Sequence, residues 1–370
     1  MPDCLHESEI IVRRFRPARD CLRATSILVA TAVAMATASA WVPTSGFFGV
    51  LGPPGASAAV TFTPGYGQGT AAECTRTIAA GSIEAAANAL ASGQVLCVRG
   101  GIFTETDKLV NLTTSGTAGA PKKIKAYPGE RVELRGGINS KASYWVIEGL
   151  FVDASYSPSG PAPGGRINTD QAINVTGGTN VLIDSVELVN RNPNLNPDLA
   201  GTCLYVGGSA RTNITVTNSA IHRCGQLPRS NHEHCVYAAM SSGLTIRDNW
   251  IYDCADRSIQ VSPDTDNALI VGNLVDSDSQ SGIDLDNSAN NDVVRNNVVD
   301  TPNGKTIYTG RSYVGSGNAV DDNCVWRSDL ALTSDVARAG NLVADPQIVG
   351  HTVGNSACAA KLPVGSPFRP

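Results

Sequence analysis

Val236-Tyr-Ala238, Ile259-Gln-Val261, Ile283-Asp-Leu285 and Ile307-Tyr-Thr309 are four copies of one short pattern, and their first members lie 23, 24 and 24 residues apart. Each frames one outward residue between two inward ones. A second pattern follows the first three: Ile246-Arg-Asp-Asn249-Trp-Ile251, Ile270-Val-Gly-Asn273-Leu-Val275 and Val294-Arg-Asn-Asn297-Val-Val299. A fixed period of this length, carried by period-2 strands with no helical pattern, marks one turn of a stacked β-solenoid. Asn tolerates the left-handed backbone of a tight bend. Stacked one strand spacing apart, roughly 4.8 Å, Asn249, Asn273 and Asn297 are expected to bond along a ladder. The turn Asn of a β-sandwich has no reason to recur at this spacing.

The pattern extends upstream through Leu204-Tyr-Val206 and Ile173-Asn-Val175, at spacings of 32 and 31 residues. The extra residues fall in one place, at 191–201 and 225–234. Insertions in a solenoid map to loops on one side, often the binding side.

Residues 1–58 read as a targeting segment. Arg13, Arg14, Arg16, Arg19 and Arg23 form a basic region before the small, apolar run 24–40, and Ala38-Ser-Ala40 and Ala56-Ser-Ala58 are cleavage candidates. A retained membrane anchor is the alternative, but Pro43, Pro53 and Pro54 interrupt the apolar run. Arg13-Arg14 is a twin-arginine hint. Without this segment the chain carries 23 basic and 29 acidic residues, a balance that argues against nucleic acid as a partner. A secreted, monomeric single domain over 59–370 is expected, with no stable membrane insertion. Eight cysteines remain once Cys4 and Cys21 are set aside, an even number suited to an oxidising compartment. Cys203 and Cys235 share one column and Cys224 and Cys254 another, so Cys203–Cys235 and Cys224–Cys254 are expected to bridge adjacent coils. Cys74–Cys97 would tie the N-terminal end and Cys324–Cys358 the C-terminal tail.

Ser82-Ile-Glu-Ala-Ala-Ala-Asn-Ala-Leu90 reads as a helix within 77–93, with Ser82 as N-cap, Glu84 in the first turn and Gly93 as the stop. It is the candidate cap for the open end of the solenoid. Val95-Leu-Cys-Val-Arg-Gly-Gly-Ile-Phe103 and the run from Ser115 to Leu134 resemble the opening of secreted proteins of the pectate-lyase-like and chondroitinase-B-like superfamily. Asn341-Leu-Val-Ala-Asp-Pro-Gln-Ile348 and Leu362-Pro-Val-Gly-Ser-Pro367 resemble their closing segment. The resemblance spans about 76–367. It implies a right-handed parallel β-helix of about eight coils, running over about 94–330 with a tail from 331. It does not fix the reaction, because the superfamily holds lyases, hydrolases, epimerases and non-catalytic members.

Strand parity places Asn174, Tyr205, Tyr237, Gln260, Asp284 and Tyr308 in one outward column. Aromatic faces beside amides and a carboxylate suit a sugar chain lying along the solenoid; a solvated polar face is the bland alternative. Arg229-Ser-Asn-His-Glu-His-Cys-Val-Tyr237 is the densest cluster of reactive residue types. It resembles a His-x-His-Gly-Ile/Val-Tyr run of secreted β-helix proteins, with Cys235 in place of Gly. Ser258-Ile-Gln-Val-Ser-Pro263 resembles their Gly-Ile-Gln-x-x-Pro stretch. β-Elimination on a uronic acid needs a base, an acid for the leaving oxygen and positive charge beside the carboxylate. His232 or His234 suits the base, Tyr237 the acid, and Arg223, Arg229 or Arg257 the carboxylate partner. The alternative is that both His cap a loop. Asp284 and Asp286, with Asp264 and Asp266, are candidate Ca²⁺ ligands. Paired Asp would instead serve a glycoside hydrolase, and a non-catalytic, carbohydrate-binding scaffold is the rival from another class.

Overall fold

The computed structural model describes residues 62–370 apart from 106, 108, 157–170, 192–200, 209–210, 230, 278, 311–314 and 329. Residues 1–58, expected as a targeting segment, and most of the 191–201 insertion lie outside the described residues. Three parallel sheets of eight, ten and eleven strands run the length of the solenoid. The first sheet holds Leu109–Leu112, Gly137–Ser140, Ile173–Val175, Leu204–Val206, Val236–Ala238, Arg257–Val261, Ser281–Leu285 and Lys305–Thr309. Its strands pair in the register that the 23–24-residue period requires, Val236 with Ile259 and Ile259 with Ile283. Inward residues of all three sheets meet in one continuous apolar core, as stacking of identical turns demands. The fold is a right-handed parallel β-helix. The second sheet begins earlier than expected, at Arg76–Ile78, and the second and third end later, at Ala337–Ala339 and Leu342–Val343. The tail therefore starts after Val343.

The Asn ladder forms and runs further than the period alone showed. Asn249 Nδ2 donates to Asn273 Oδ1 at 3.0 Å, Asn273 to Asn297 at 2.9 Å, Asn297 to Asn323 at 3.0 Å and Asn323 to Asn341 at 3.0 Å. The second amide hydrogen of each goes to a strand carbonyl such as Val216 O or Ile246 O. The bend itself is made one residue earlier than expected: Asp248, Gly272, Asn296 and Asp322 carry the positive φ, not the ladder Asn. The left-handed residue turns the chain, and this aims the next side chain inward, where its amide must be fully bonded.

The capping helix is shorter than the pattern suggested, Ile83–Asn88, with Ser82 Oγ accepting from Ala85 N. Gly93, at φ 81°, serves the turn that follows. The helix lies along the edge strand Leu109–Leu112. Glu84 Oε2 accepts from Asn111 N at 2.7 Å, Asn88 Nδ2 donates to Asn111 O at 2.7 Å, and Asn88 Oδ1 accepts from Thr113 N at 2.8 Å. Two side chains four apart on one helix thus replace the missing strand. Replacing Glu84 or Asn88 by Ala is expected to cost about 1–3 kcal/mol, the penalty of stranding a part-buried backbone group. Denaturant midpoints check it; unchanged midpoints in both variants would show that water satisfies this edge.

Cys74–Cys97 and Cys324–Cys358 are bonded as expected. The other four are not. Cys203 bonds Cys224 and Cys235 bonds Cys254, each pair with Cα atoms 5.5 Å apart, so each bridge closes its own coil and neither joins two coils. The columns were right, since Cys224 pairs in register with Cys254, but the partner was not. Side chains stacked in a parallel sheet run alongside one another at roughly 4.8 Å, beyond the roughly 3.5–4.5 Å Cβ separation a disulfide accepts. Across the corner between the third sheet and the first they converge. The C-terminal tail folds back over the outer face of the third sheet, where Val353, Leu362 and Phe368 pack on Leu274 and Val298.

Candidate functional site

The outward column of the first sheet is continuous. Asn139, Asn174, Tyr205, Tyr237, Gln260, Asp284 and Tyr308 are successive register partners. Tyr205 and Tyr237 lie 5.5 Å apart, tilted by 40°. Burial pushes both phenols above the usual tyrosine range. The neighbouring Tyr205 adds to the effect at Tyr237, Arg257 opposes it there, and the Gly208 N–H opposes it at Tyr205.

The loop 225–234 delivers His234 to the mouth of the strand Val236–Ala238. Its ring lies 5.2 Å from that of Tyr237, and its Nδ1 lies 3.7 Å from Asp256 Oδ2. The Cys235–Cys254 bridge fastens the strand that follows His234 to the turn that carries Asp256. His234 is 3% exposed, so it stands behind Tyr237 and not beside it on the surface. His232 is exposed, and its carbonyl accepts from Thr202 Oγ1.

Arg257 corrects the sequence reading. It is 0% exposed. Its Nε donates to Asp284 Oδ2 at 2.7 Å, Nη1 to Asp256 Oδ2 at 2.8 Å and Nη2 to Asn231 Oδ1 at 2.7 Å. A guanidinium locked between two buried carboxylates cannot meet a substrate carboxylate; it organises the floor beneath the column. Arg223 is also displaced. It is the unmatched residue of a bulge in the third sheet, at φ 50°, away from the column. Arg229 is exposed in the loop. The histidine cluster is split as well. His222 lies on the third sheet, where Nε2 meets Glu187 Oε1 at 3.2 Å and the ring stacks on Tyr252 at 4.5 Å.

Gln260 and Tyr308 take the outward positions expected. A cavity of about 90 Å³ opens beside Tyr308, lined by Arg257, Gln280, Ser281, Asp284, Lys305 and Tyr308. Lys305 Nζ sits 3.9 Å over the Tyr308 ring. Sequence reasoning passed over Lys305, Asp256 and Asn231. One signal was present for Lys305: it lies two coils below Arg257, in register through Ser281. Two of the four Asp side chains considered for Ca²⁺ are engaged by neighbours. Asp284 Oδ2 is taken by Arg257 and Asp266 Oδ1 accepts from Asn290. Among the described residues no three His, Cys, Asp or Glu side chains converge as metal ligands.

Residues 166–325 match the family described as Right handed beta helix region. Solved structures that share the fold include two lyases. An alginate lyase from Paenibacillus sp. str. FPU-7 matches with a TM-score of 0.54 at 17% identity, over 73% of this chain and 95% of the other. The pectate lyase Pel9A matches with a TM-score of 0.54 at 16% identity, over 78% of this chain and 83% of the other. No curated protein sequence matches. The matched repeat region, the three stacked parallel sheets and these structural neighbours agree on one fold, the right-handed parallel β-helix.

Proposed function

We propose that this protein acts outside the cytoplasm on an acidic polysaccharide, cleaving a uronic acid chain by β-elimination. The observation that carries the reading is the in-register outward column with His234 folded behind Tyr237. A sugar chain laid along the column places one unit against a half-buried phenol that burial keeps protonated, ready to give its proton to the leaving oxygen. His234, packed behind the phenol and beside Asp256, positions it, and the exposed His232 of the same loop is the base that takes the proton α to the carboxylate. The exposed cations Arg229 and Lys305 take substrate carboxylates, the role that Arg257 cannot fill. The lyase activities named for the two structural neighbours agree with this reaction class. The four disulfides fit an oxidising compartment. Among the described residues no helix is long and apolar enough to cross a membrane.

The near-complete burial of His234 and Arg257 favours one second reading, a carbohydrate-binding scaffold without turnover. A panel of uronic acid polysaccharides decides between them. The ultraviolet absorbance of an unsaturated uronate end is the expected result. New reducing ends without that absorbance would replace the lyase by a hydrolase, and binding without products would leave the scaffold.

A further inference from the structure

The outer face of the second, eleven-stranded sheet lies away from the column of the first. Its own leading outward column is Val146, Leu182, Thr215, Thr245, Leu269 and Val293, register partners one coil apart. The residues that follow them in the strands, Ile147, Ile183, Val216, Ile246, Ile270 and Val294, are fully buried, so strand parity turns this column outward. Val146 is the most shielded, at 8% exposed, and the other five are partly exposed. A sheet face that meets water is ordinarily polar. Here six coils in succession offer only Val, Leu and Thr.

The column is a palindrome: Val, Leu, Thr, Thr, Leu, Val. Consider a two-fold axis in the plane of the face, parallel to the strands, passing between Thr215 and Thr245. It reverses the order of the coils and keeps each column over itself. Thr215 then meets Thr245 of a second copy, Leu182 meets its Leu269 and Val146 meets its Val293. Each contact is made twice, as an isologous interface requires. Aligned sheets pack face to face at roughly 10 Å, a gap that such side chains fill.

Charge follows the same axis. Two residues further along each strand, a second outward column runs Glu148, Asp184, Thr217, Arg247, Val271 and Arg295. The axis that matches the apolar residues sets Arg295 of one copy over Glu148 of the other. Glu148 and Asp184 line a cavity of about 250 Å³ together with Phe62, Thr63, Gln68 and Asn218. Glu148 is already paired with Lys123 and Lys125. Asp184 is met by neutral donors, Ser185 Oγ at 3.1 Å and Asn218 Nδ2 at 3.0 Å. Arg295 is exposed, and among the described residues its guanidinium makes no ion pair. An acidic cavity thus faces the place where the symmetry delivers a cation.

The area is sufficient. From Lys123 to Ala319 the column crosses eight coils, about 38 Å at the strand spacing, and two columns' width makes a strip of roughly 500 Å² on each copy. Two such strips reach the roughly 1,000 Å² of a specific interface.

We propose that this face is a dimer interface, in which two copies pack second sheet on second sheet with their solenoids antiparallel, in place of the monomer expected from the sequence. The inference does not depend on the reaction proposed above.

Sedimentation equilibrium of the full chain across the micromolar range is expected to show a dimer. Leu269→Glu sets a carboxylate against Leu182 of the other copy and is expected to leave monomers throughout that range, with an unchanged strand signal in circular dichroism. Arg295→Glu brings like charges together at both symmetry-related places and is expected to weaken association by about 100-fold, tenfold at each. Asp184→Arg, added to Arg295→Glu in the same chain, restores the opposite charges and is expected to restore the dimer, which separates a lost pair from a lost fold. A parent chain that stays monomeric throughout, a dimer indifferent to Leu269→Glu, or a loss in Arg295→Glu that the paired reversal does not restore, overturns the proposal.

Discussion

Tyr237→Phe is expected to lower turnover of a uronic acid polysaccharide by about 10²–10⁴, the range that a positioned acid or base contributes, and His234→Ala is expected to lower it through the phenol that His234 positions. Phe keeps the ring contacts with Tyr205 and His234 and removes only the transferable proton, so its thermal stability should match that of the parent. Burial raises the Tyr237 pKa; the phenol is therefore protonated at neutral pH, and the lost step is proton donation. His234→Ala also empties a buried site beside Asp256, so its melting temperature must be read with its rate. Initial rates of unsaturated-end formation measure both variants. Full activity in Tyr237→Phe, on a substrate the parent cleaves, would move the chemistry down the column to Lys305 and Tyr308.

Asp292→Asn should flatten the pH dependence of stability. The Asp292 side chain is fully buried. Its Oδ1 accepts from Ala268 N at 2.7 Å, its own N–H donates to Asn318 Oδ1 at 2.8 Å, and its Oδ2 has no hydrogen-bond partner. Desolvation, with a smaller push from Asp266, raises its pKa from 3.8 to about 7, against the opposing bond from Ala268 N–H. Below pH about 4 the group is protonated in both the folded and the unfolded chain and does not weaken the fold. As pH rises to about 7, the unfolded chain releases this proton and the folded chain does not. Stability then falls by about 1.4 kcal/mol per pH unit, toward a total of about 4 kcal/mol. Asn318 shows what an amide does at the matching place one coil below, its Nδ2 donating to Ala289 O. Asn at 292 can do the same without titrating. Denaturant unfolding at pH 5 and pH 8 should show the parent losing stability between the two values and the variant holding steady. Parallel losses in both proteins would assign the pH dependence to other groups.

The period made most of this molecule legible. In a parallel stack the residue above is the residue one repeat away, so a 24-residue spacing states directly that Tyr237, Gln260, Asp284 and Tyr308 share a column and that Asn249, Asn273 and Asn297 share a ladder. Ser82 and Glu84 announced the capping helix for an equally local reason, since N-terminal helix groups are satisfied within one turn.

What the sequence determined by itself is what stacks on what, because stacking repeats with the chain. Tertiary structure decided what faces what across a coil. Cys203 finds Cys224 and not Cys235 because the corner angle turns their Cβ atoms together, and no spacing encodes that angle. Arg257 is buried because Asp256, Asp284 and Asn231 reach it from a turn, the next coil and the inserted loop. His222 parts from His234 because a strand and a loop lie between them and lead to different faces. A desolvated ion pair or an unmet amide depends on every group around it in space, so the chemistry of the groove became visible only when the coils were closed.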